Sequence, residues 1–282
     1  MPVKQAIGLG RLPQESLFFQ GFWYDKGIII RRISSALNIR EARAIGIIVS
    51  VSAEGTILAG KLQKRTEGAF PSSEGTLFGH VVVMTVSGMG KVNAAHAATR
   101  LILGSSPSLV MNIGVAGAYP SSQLKIGDIA VAEREIYGDE GVLLKDGFYG
   151  TEITDIPLFR KGRRKYFDEF CLNMPLMKKA VRAARRIAHN SSPVTVKKGP
   201  FVTVSTCTGT KKRARELEKR FGAICENMEG AAIAHICTMY GIPMIELRGI
   251  SNIVEDRDKA KWNIMLSAEN CQQAVLELLK AI

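Results

Sequence analysis

Residues 80–118 decide the fold class: His80-Val81-Val82-Val83-Met84-Thr85-Val86-Ser87-Gly88-Met89-Gly90-Lys91, a helical pattern to Leu103, then Ser108-Leu109-Val110-Met111-Asn112-Ile113-Gly114-Val115-Ala116-Gly117-Ala118. Two Val- and Ile-rich runs of strand length flank one amphipathic segment, and each run ends in glycine. Continuous apolar runs of this kind mark strands buried on both faces, which occur where helices cover both sides of a sheet. The same alternation recurs along the chain. Residues 44–51, 128–133, 201–205 and 243–249 read as further strands, and residues 175–189, 211–220, 229–240 and 263–280 as helices. Gly241 followed by Pro243 stops the 229–240 helix. The pattern predicts an α/β sandwich around a largely parallel sheet.

The chain has 282 residues, 46% hydrophobic and 23% charged. Those values lie near the globular averages of about 45–50% and about 25%, which argues against disorder and against fibrous or repeat architectures. No run approaches the roughly 18 uninterrupted apolar residues of a membrane span, and Gln20 and Gly21 break the one apolar stretch that resembles a signal sequence. The expectation is a cytosolic protein with no membrane partner. Cys171, Cys207, Cys225, Cys237 and Cys271 form no CxxC pair, and His80, His96, His189 and His235 are scattered, so neither a disulfide framework nor a metal site is expected. Residues 1–42 lack periodicity before Gly27 and are set apart as an N-terminal extension, leaving 43–282 as the working domain.

The net charge of +12 raises nucleic acid as a partner. Residues 160–198 hold 12 Lys or Arg against 2 acidic residues, and residues 211–220 hold 6 against 2, so the rest of the chain is close to neutral. Within the first segment Leu176, Met177, Ala180, Val181, Ala184, Ile187 and Ala188 recur at helical spacing, which makes the basic residues between them a solvated face. Aromatic residues interleaved with the charges, the stacking platforms of single-strand binders, are missing there. No nucleic-acid partner is therefore expected.

In open α/β sheets ligands bind beyond the carboxyl ends of the strands. Glu54 follows the first strand; a lone carboxylate at such a turn is ordinarily a helix-start charge. Ser87-Gly88-Met89-Gly90-Lys91 opens a helix with a glycine turn able to hold a hydroxyl or anion on backbone N–H groups, yet Asn93 stands where a dinucleotide fingerprint needs its third glycine. At Gly114-Val115-Ala116-Gly117-Ala118 small residues let a ligand approach the backbone. Glu226-Asn227-Met228-Glu229 starts a small, apolar helix, and a carboxylate buried there needs hydroxyl donors, a cation or the helix dipole. Arg248, inside an apolar strand that ends at Asn252, is expected to neutralise Glu226 or Glu229.

Together, IGII followed by Glu54, then SGMGKVNAA, NIGVAGA, KIGDIAVAE, NMEGAAIAHIC and IELRGISN, resemble the nucleoside phosphorylase and nucleosidase superfamily in order and spacing. Over about residues 44–280 the chain looks most like the methylthioadenosine/S-adenosylhomocysteine nucleosidases and their relative futalosine hydrolase. The resemblance implies a three-layer αβα sandwich with a central, largely parallel mixed sheet of the nucleoside phosphorylase type, a buried nucleoside site, N-glycosidic cleavage without a cofactor, and a homo-oligomer, dimer or larger. It also implies that Glu54 activates water, Glu229 holds the ribose hydroxyls, Met228 packs on the sugar, and the Cys207–Thr208 loop sandwiches the purine and offers it backbone hydrogen bonds. Gly88 and Val115 join the substrate-binding set.

Two departures bear on the subfamily. Adenine-cleaving nucleosidases end the last strand in ISD and carry Ser at the position of Val115; this chain ends it in Ile250-Ser251-Asn252. The Asn, with Arg257-Asp258 and Trp262 after it, resembles futalosine hydrolase. An Asn amide offers two N–H donors and one acceptor and no titrating proton, so it faces a 6-oxopurine without opposing lone pairs. Futalosine, with hypoxanthine as leaving base, is the substrate this favours, with Arg257 or Lys259 as the cation for its benzoate. A methylthioadenosine-type nucleosidase and a phosphorylase remain open as alternatives. A phosphorylase needs cations around phosphate, and the glycine turns show only Lys91.

Overall fold

The computed structural model of the protein describes residues 43–65, 70–189 and 192–282; the expectation for residues 1–42 lies outside the described residues. In chain order the main elements are β1 (Ile45–Val49), α1 (Thr56–Ala59), β2 (Gln63–Arg65), β3 (Ser72–Leu77), β4 (His80–Val86), α2 (Lys91–Ser105), β5 (Leu109–Ala118), β6 (Ile129–Tyr137), β7 (Glu169–Cys171) and α3 (Met174–Ala184). They continue with β8 (Val196–Thr203), α4 (Lys211–Phe221), β9 (Cys225–Asn227), α5 (Gly230–Tyr240), β10 (Met244–Ile253) and α6 (Ile264–Leu279).

The ten strands form one mixed sheet in the order β7-β6-β8-β9-β5-β1-β4-β3-β2, with β10 bridging β5 and β6. β5, β10, β6, β8 and β9 therefore close on one another, as a small barrel attached to an open sheet. The pairs β1/β4, β1/β5, β5/β10, β6/β8 and β8/β9 are parallel, whereas β10/β6 and β9/β5 are antiparallel.

Alternation along β10 explains the layering. Ile245 and Leu247 join a core with Met177 and Ala180 of α3 and Val275 and Leu278 of α6. Met244 faces the other way, with Ala98 and Ile102 of α2 and Ile233 and Cys237 of α5. The expected three layers are present: α2 and α5 on one side, α3 and α6 on the other. None of the described helices is long and apolar enough to cross a membrane.

Several boundaries differ from the sequence reading, each for a tertiary reason. β5 extends past Ile113 to Ala118 because its small residues pair with β10 on one side and β9 on the other. β10 runs past Gly249 to Ile253 through an irregularity between Ile250 and Asn252, which sets Asn252 opposite Gly117. β8 begins at Val196, paired with β6, and not at residue 201. The helix expected over 175–189 ends at Ala184; Arg185 and Arg186 close its last turn, and Ile187 still packs on the core. The short β2, β7 and β9 and the hairpins at Gly141–Gly150 and Phe159–Tyr166 carried no period-two signal long enough to be read.

Ile47, fully buried in β1, fills the core beneath α6. Ile47→Ala is expected to lower stability by about 2–5 kcal/mol through lost burial and the cavity left behind, read as a drop in denaturant midpoint at constant m-value.

Candidate active site

The glycine turns and acidic residues picked out along the chain meet at the carboxyl ends of β1, β4 and β5. Glu54 lies in a short 3-10 turn (Ser52–Glu54) just after β1 and is 4% exposed. One carboxylate oxygen, Oε2, accepts from the N–H groups of Ser50 (2.9 Å) and Val51 (3.2 Å), capping its own turn. The other, Oε1, accepts from Val115 N–H at 2.8 Å. The helix-start role is thus real, but half of the carboxylate is turned toward β5. A Cβ on Gly114 would stand 2.5 Å from Glu54 Oε1 and 2.8 Å from Arg248 Nη1, so only glycine lets these two groups converge on the strand. Burial raises the pKa of Glu54, while the nearby Arg248 and the backbone donors partly offset that rise.

Glu229, also 4% exposed, precedes α5. Its Oε1 accepts from Gly90 N–H at 2.9 Å, and its Oε2 lies 3.8 Å from Arg248 Nη2. Gly90 adopts φ +96°, a left-handed conformation that directs its N–H at Glu229 with no side-chain penalty. Asn227 fixes the approach to the helix: its Oδ1 accepts from Glu229 N–H (2.9 Å) and Gly230 N–H (2.7 Å), satisfying the otherwise unpaired donors of the first turn.

Arg248, 1% exposed, donates from Nε to Glu246 at 2.8 Å and from Nη1 to the Val115 carbonyl at 3.4 Å. Burial disfavours its charge, but Glu246, Glu229 and Glu54 outweigh that and push its pKa upward. Of the two partners expected for it, Glu229 holds and Glu226 does not. Glu226 instead accepts from Tyr119 Oη (2.9 Å), Thr208 N–H (2.9 Å) and Thr208 Oγ1 (2.6 Å). This corrects the reading of the Cys207–Thr208 loop: the Thr208 N–H serves Glu226 and is not free for a purine. Cys207 is exposed at the loop tip, its Sγ 3.2 Å from Met228 Sδ, and partial desolvation of the sulfur, with Glu226 nearby, raises its thiol pKa.

Asn252, Thr208, Ile253, Arg257 and Trp262 line a neighbouring pocket. Gly117, opposite Asn252, leaves it room; a Cβ there would lie 3.1 Å from Asn252 Nδ2. The Asn252 amide is held by Ser251 Oγ, which lies 2.9 Å from Oδ1, and by the Ile253 carbonyl, which accepts from Nδ2 at 3.3 Å. Arg257 stacks on Trp262, guanidinium to ring centroid 4.6 Å, while Lys259 is exposed outside this lining. Gly88, whose N–H donates to the Ser50 carbonyl, ties the first glycine turn to the segment between β1 and Glu54. Lys91, the one cation read at the turns, is committed to Asp139 (2.5 Å) and Glu140 (2.9 Å). The cation at the Gly114 turn is Arg248, brought there from β10.

The sequence reading missed the polar floor under α5. Glu135 and Glu246 are fully buried, and Thr203 and Asn227 donate to Glu135 at 2.7 and 2.6 Å. Glu246 and Arg248 alternate at period two in an otherwise apolar strand, the signal that two charges share one inward face.

The sequence profile of the Phosphorylase superfamily matches residues 44–282, and the chain belongs to that superfamily. It is similar to a 5'-methylthioadenosine/S-adenosylhomocysteine nucleosidase of Maridesulfovibrio salexigens, 31% identical over 245 residues, 84% of this chain and 99% of that protein. It is similar also to a futalosine hydrolase of Thermus thermophilus, 33% identical over 193 residues, 68% of this chain and 79% of that protein. Among solved structures, a 5'-methylthioadenosine/S-adenosylhomocysteine nucleosidase of Colwellia psychrerythraea in complex with adenine superposes with a TM-score of 0.72 at 26% identity, covering 85% of this chain and 95% of that one.

Gly230 has no room for a side chain, because a Cβ would collide with Glu135 Oε1 and stand 2.6 Å from Glu246 Oε2. Gly230→Ala is expected to cost about 1–3 kcal/mol by overpacking this floor, despite alanine's better helix propensity, as a lowered Tm in thermal denaturation.

Proposed function

We propose that the protein is a purine nucleosidase that hydrolyses the N-glycosidic bond of a nucleoside. The observation that carries this reading is the convergence of Glu54 and Glu229, two buried carboxylates on separate elements, around one guanidinium beside two glycine turns. Glu54, fixed by three backbone N–H groups and made more basic by burial, deprotonates a water aimed at the anomeric carbon. Glu229 accepts hydrogen bonds from ribose hydroxyls, and Met228 covers the sugar. The base departs into the pocket lined by Asn252 and Thr208, where the Asn252 amide donates to its developing negative charge. Lys91 is held in ion pairs and Arg248 is already balanced by carboxylates, so water, and not phosphate, is the acceptor this site suits.

On the substrate, the relatives of nearly full coverage support cleavage of methylthioadenosine or S-adenosylhomocysteine, and this is the better-supported choice. A second reading, futalosine hydrolysis within menaquinone biosynthesis, is favoured by one observation, the Asn252 amide, with Arg257 beside it for a carboxylate on the far end of the substrate. The futalosine hydrolase relative supports it over a shorter stretch. Chromatography of the purified protein with methylthioadenosine, S-adenosylhomocysteine, futalosine and inosine decides between them by the free base released, adenine or hypoxanthine. A sugar 1-phosphate product, or a rate rising with phosphate, would instead place the chain among the phosphorylases.

Glu54→Gln keeps the shape and removes the base; kcat is expected to fall by at least about 100-fold with folding retained, the usual scale of general-base catalysis. In the parent enzyme kcat/KM is expected to fall as pH drops, because protonated Glu54 cannot accept the water's proton. The inflection should lie above the ordinary carboxylate range, in keeping with the upward shift of this group. An inflection at an ordinary carboxylate pKa would contradict the assignment.

Asn252→Asp is expected to change the ratio of kcat/KM for 6-amino over 6-oxo nucleosides by about tenfold or more in favour of the amino substrates. A protonated Asp serves N7 and the amine, whereas an ionised Asp sets acceptor against carbonyl. An unchanged ratio in competition assays would mean that the base is read elsewhere.

A further inference from the structure

Beneath the site lies a second pair of carboxyl groups that the reaction does not touch. Glu135 (β6) and Glu246 (β10) are both fully buried, and their oxygens converge on one point, the side-chain position that Gly230 leaves empty. Glu246 Oε1 accepts from Arg248 Nε, but among the described residues Oε2 has no hydrogen-bond partner. Glu135 receives Thr203 Oγ1 on one oxygen and Asn227 Nδ2 on the other. Two carboxylates this close in a dry interior do not both ionise.

We propose that Glu135 and Glu246 form one acid pair holding a single proton, donated from Glu135 Oε1 to Glu246 Oε2, and that the one negative charge left on the pair positions Arg248 toward Glu54 and Glu229. Burial and the neighbouring Glu246 both push the Glu135 carboxyl well above its ordinary range, in the same direction. The other groups facing the pair and Arg248 are the Cys225 thiol of β9, the Tyr137 phenol of β6 and the Cys271 thiol of α6, each held neutral by burial first, with Glu229 and Glu54 on the site side. Glu246 is accordingly a positioning residue: it fixes the Nε edge of the guanidinium and absorbs part of its charge, so that the Nη groups do not neutralise Glu54 so strongly that it loses its basicity.

The inference rests on Glu54 being the base, and its test has one arm that needs no activity. Infrared spectroscopy of the parent enzyme above the acid limb of its pH profile should show a protonated-carboxyl C=O band that disappears in Glu135→Gln; its absence from the parent overturns the proposal whatever the enzyme cleaves. In the kinetic arm, Glu135→Gln leaves Glu246 to carry the charge beside Arg248 and should keep the acid limb of kcat/KM near its parent position, whereas Glu246→Gln leaves the charge on Glu135, away from the guanidinium Nε, and should move the limb only part of the way to lower pH. The double variant removes that charge, and Arg248 then favours ionised Glu54, moving the limb to lower pH by about one unit. Such non-additivity is not expected of residues that only pack. Two additive single shifts would mean that both groups are ionised, and an unmoved limb in the folded double variant, checked by circular dichroism, would mean that the pair does not act on the site.

Discussion

Arg248 is the group on which the rest of the site depends. A guanidinium with 1% exposure is tolerable in a protein interior only if carboxylates take up its charge, since an uncompensated buried ion costs several kcal/mol. Glu246 meets it on Nε from the same strand, Glu229 approaches Nη2 from the start of α5, and Nη1 reaches the Val115 carbonyl. That one side chain therefore ties β10, β5 and the start of α5 to one another and places one positive charge near both carboxylates of the proposed reaction. Glycine is required around it for a spatial reason: at 114 and 230 the backbone runs where a Cβ would strike the charged groups.

The same arrangement reconciles two demands on Glu54 as the proposed base. A general base needs a fixed orientation and a raised pKa, yet hydrogen bonds to a carboxylate lower its pKa. Here three backbone N–H groups supply the orientation, burial supplies the basicity, and the influence of Arg248 is shared with Glu229 and Glu246. A separate wall lies beside this charged cluster: Asn252, set opposite Gly117 at the end of β10, lines it with Thr208 and the Arg257–Trp262 stack.

The chain by itself determined the class of fold and the roster of the site. Val- and Ile-rich runs alternating with amphipathic segments left no other economical burial than a sheet between two helical layers, and β4 and the starts of α2 and α4 lie where periodicity put them. Glu54 and the glycine turns were legible because each follows an apolar run of strand length, Glu229 because it opens a small apolar helix, and Asn252 because the family resemblance marks the end of that strand. Only the tertiary structure decided who pairs with whom. The closure of β5, β10, β6, β8 and β9 extended β5 and β10 beyond their apolar runs, decided between Glu226 and Glu229 for Arg248 in favour of Glu229 with Glu246 beside it, and gave the Thr208 N–H to Glu226. Other partnerships at the site join residues more than a hundred positions apart, as Glu229 joins Gly90 and Arg248 joins Val115. Local periodicity shows which side chains turn inward. It does not say what they meet there, because that is fixed by how the strands close.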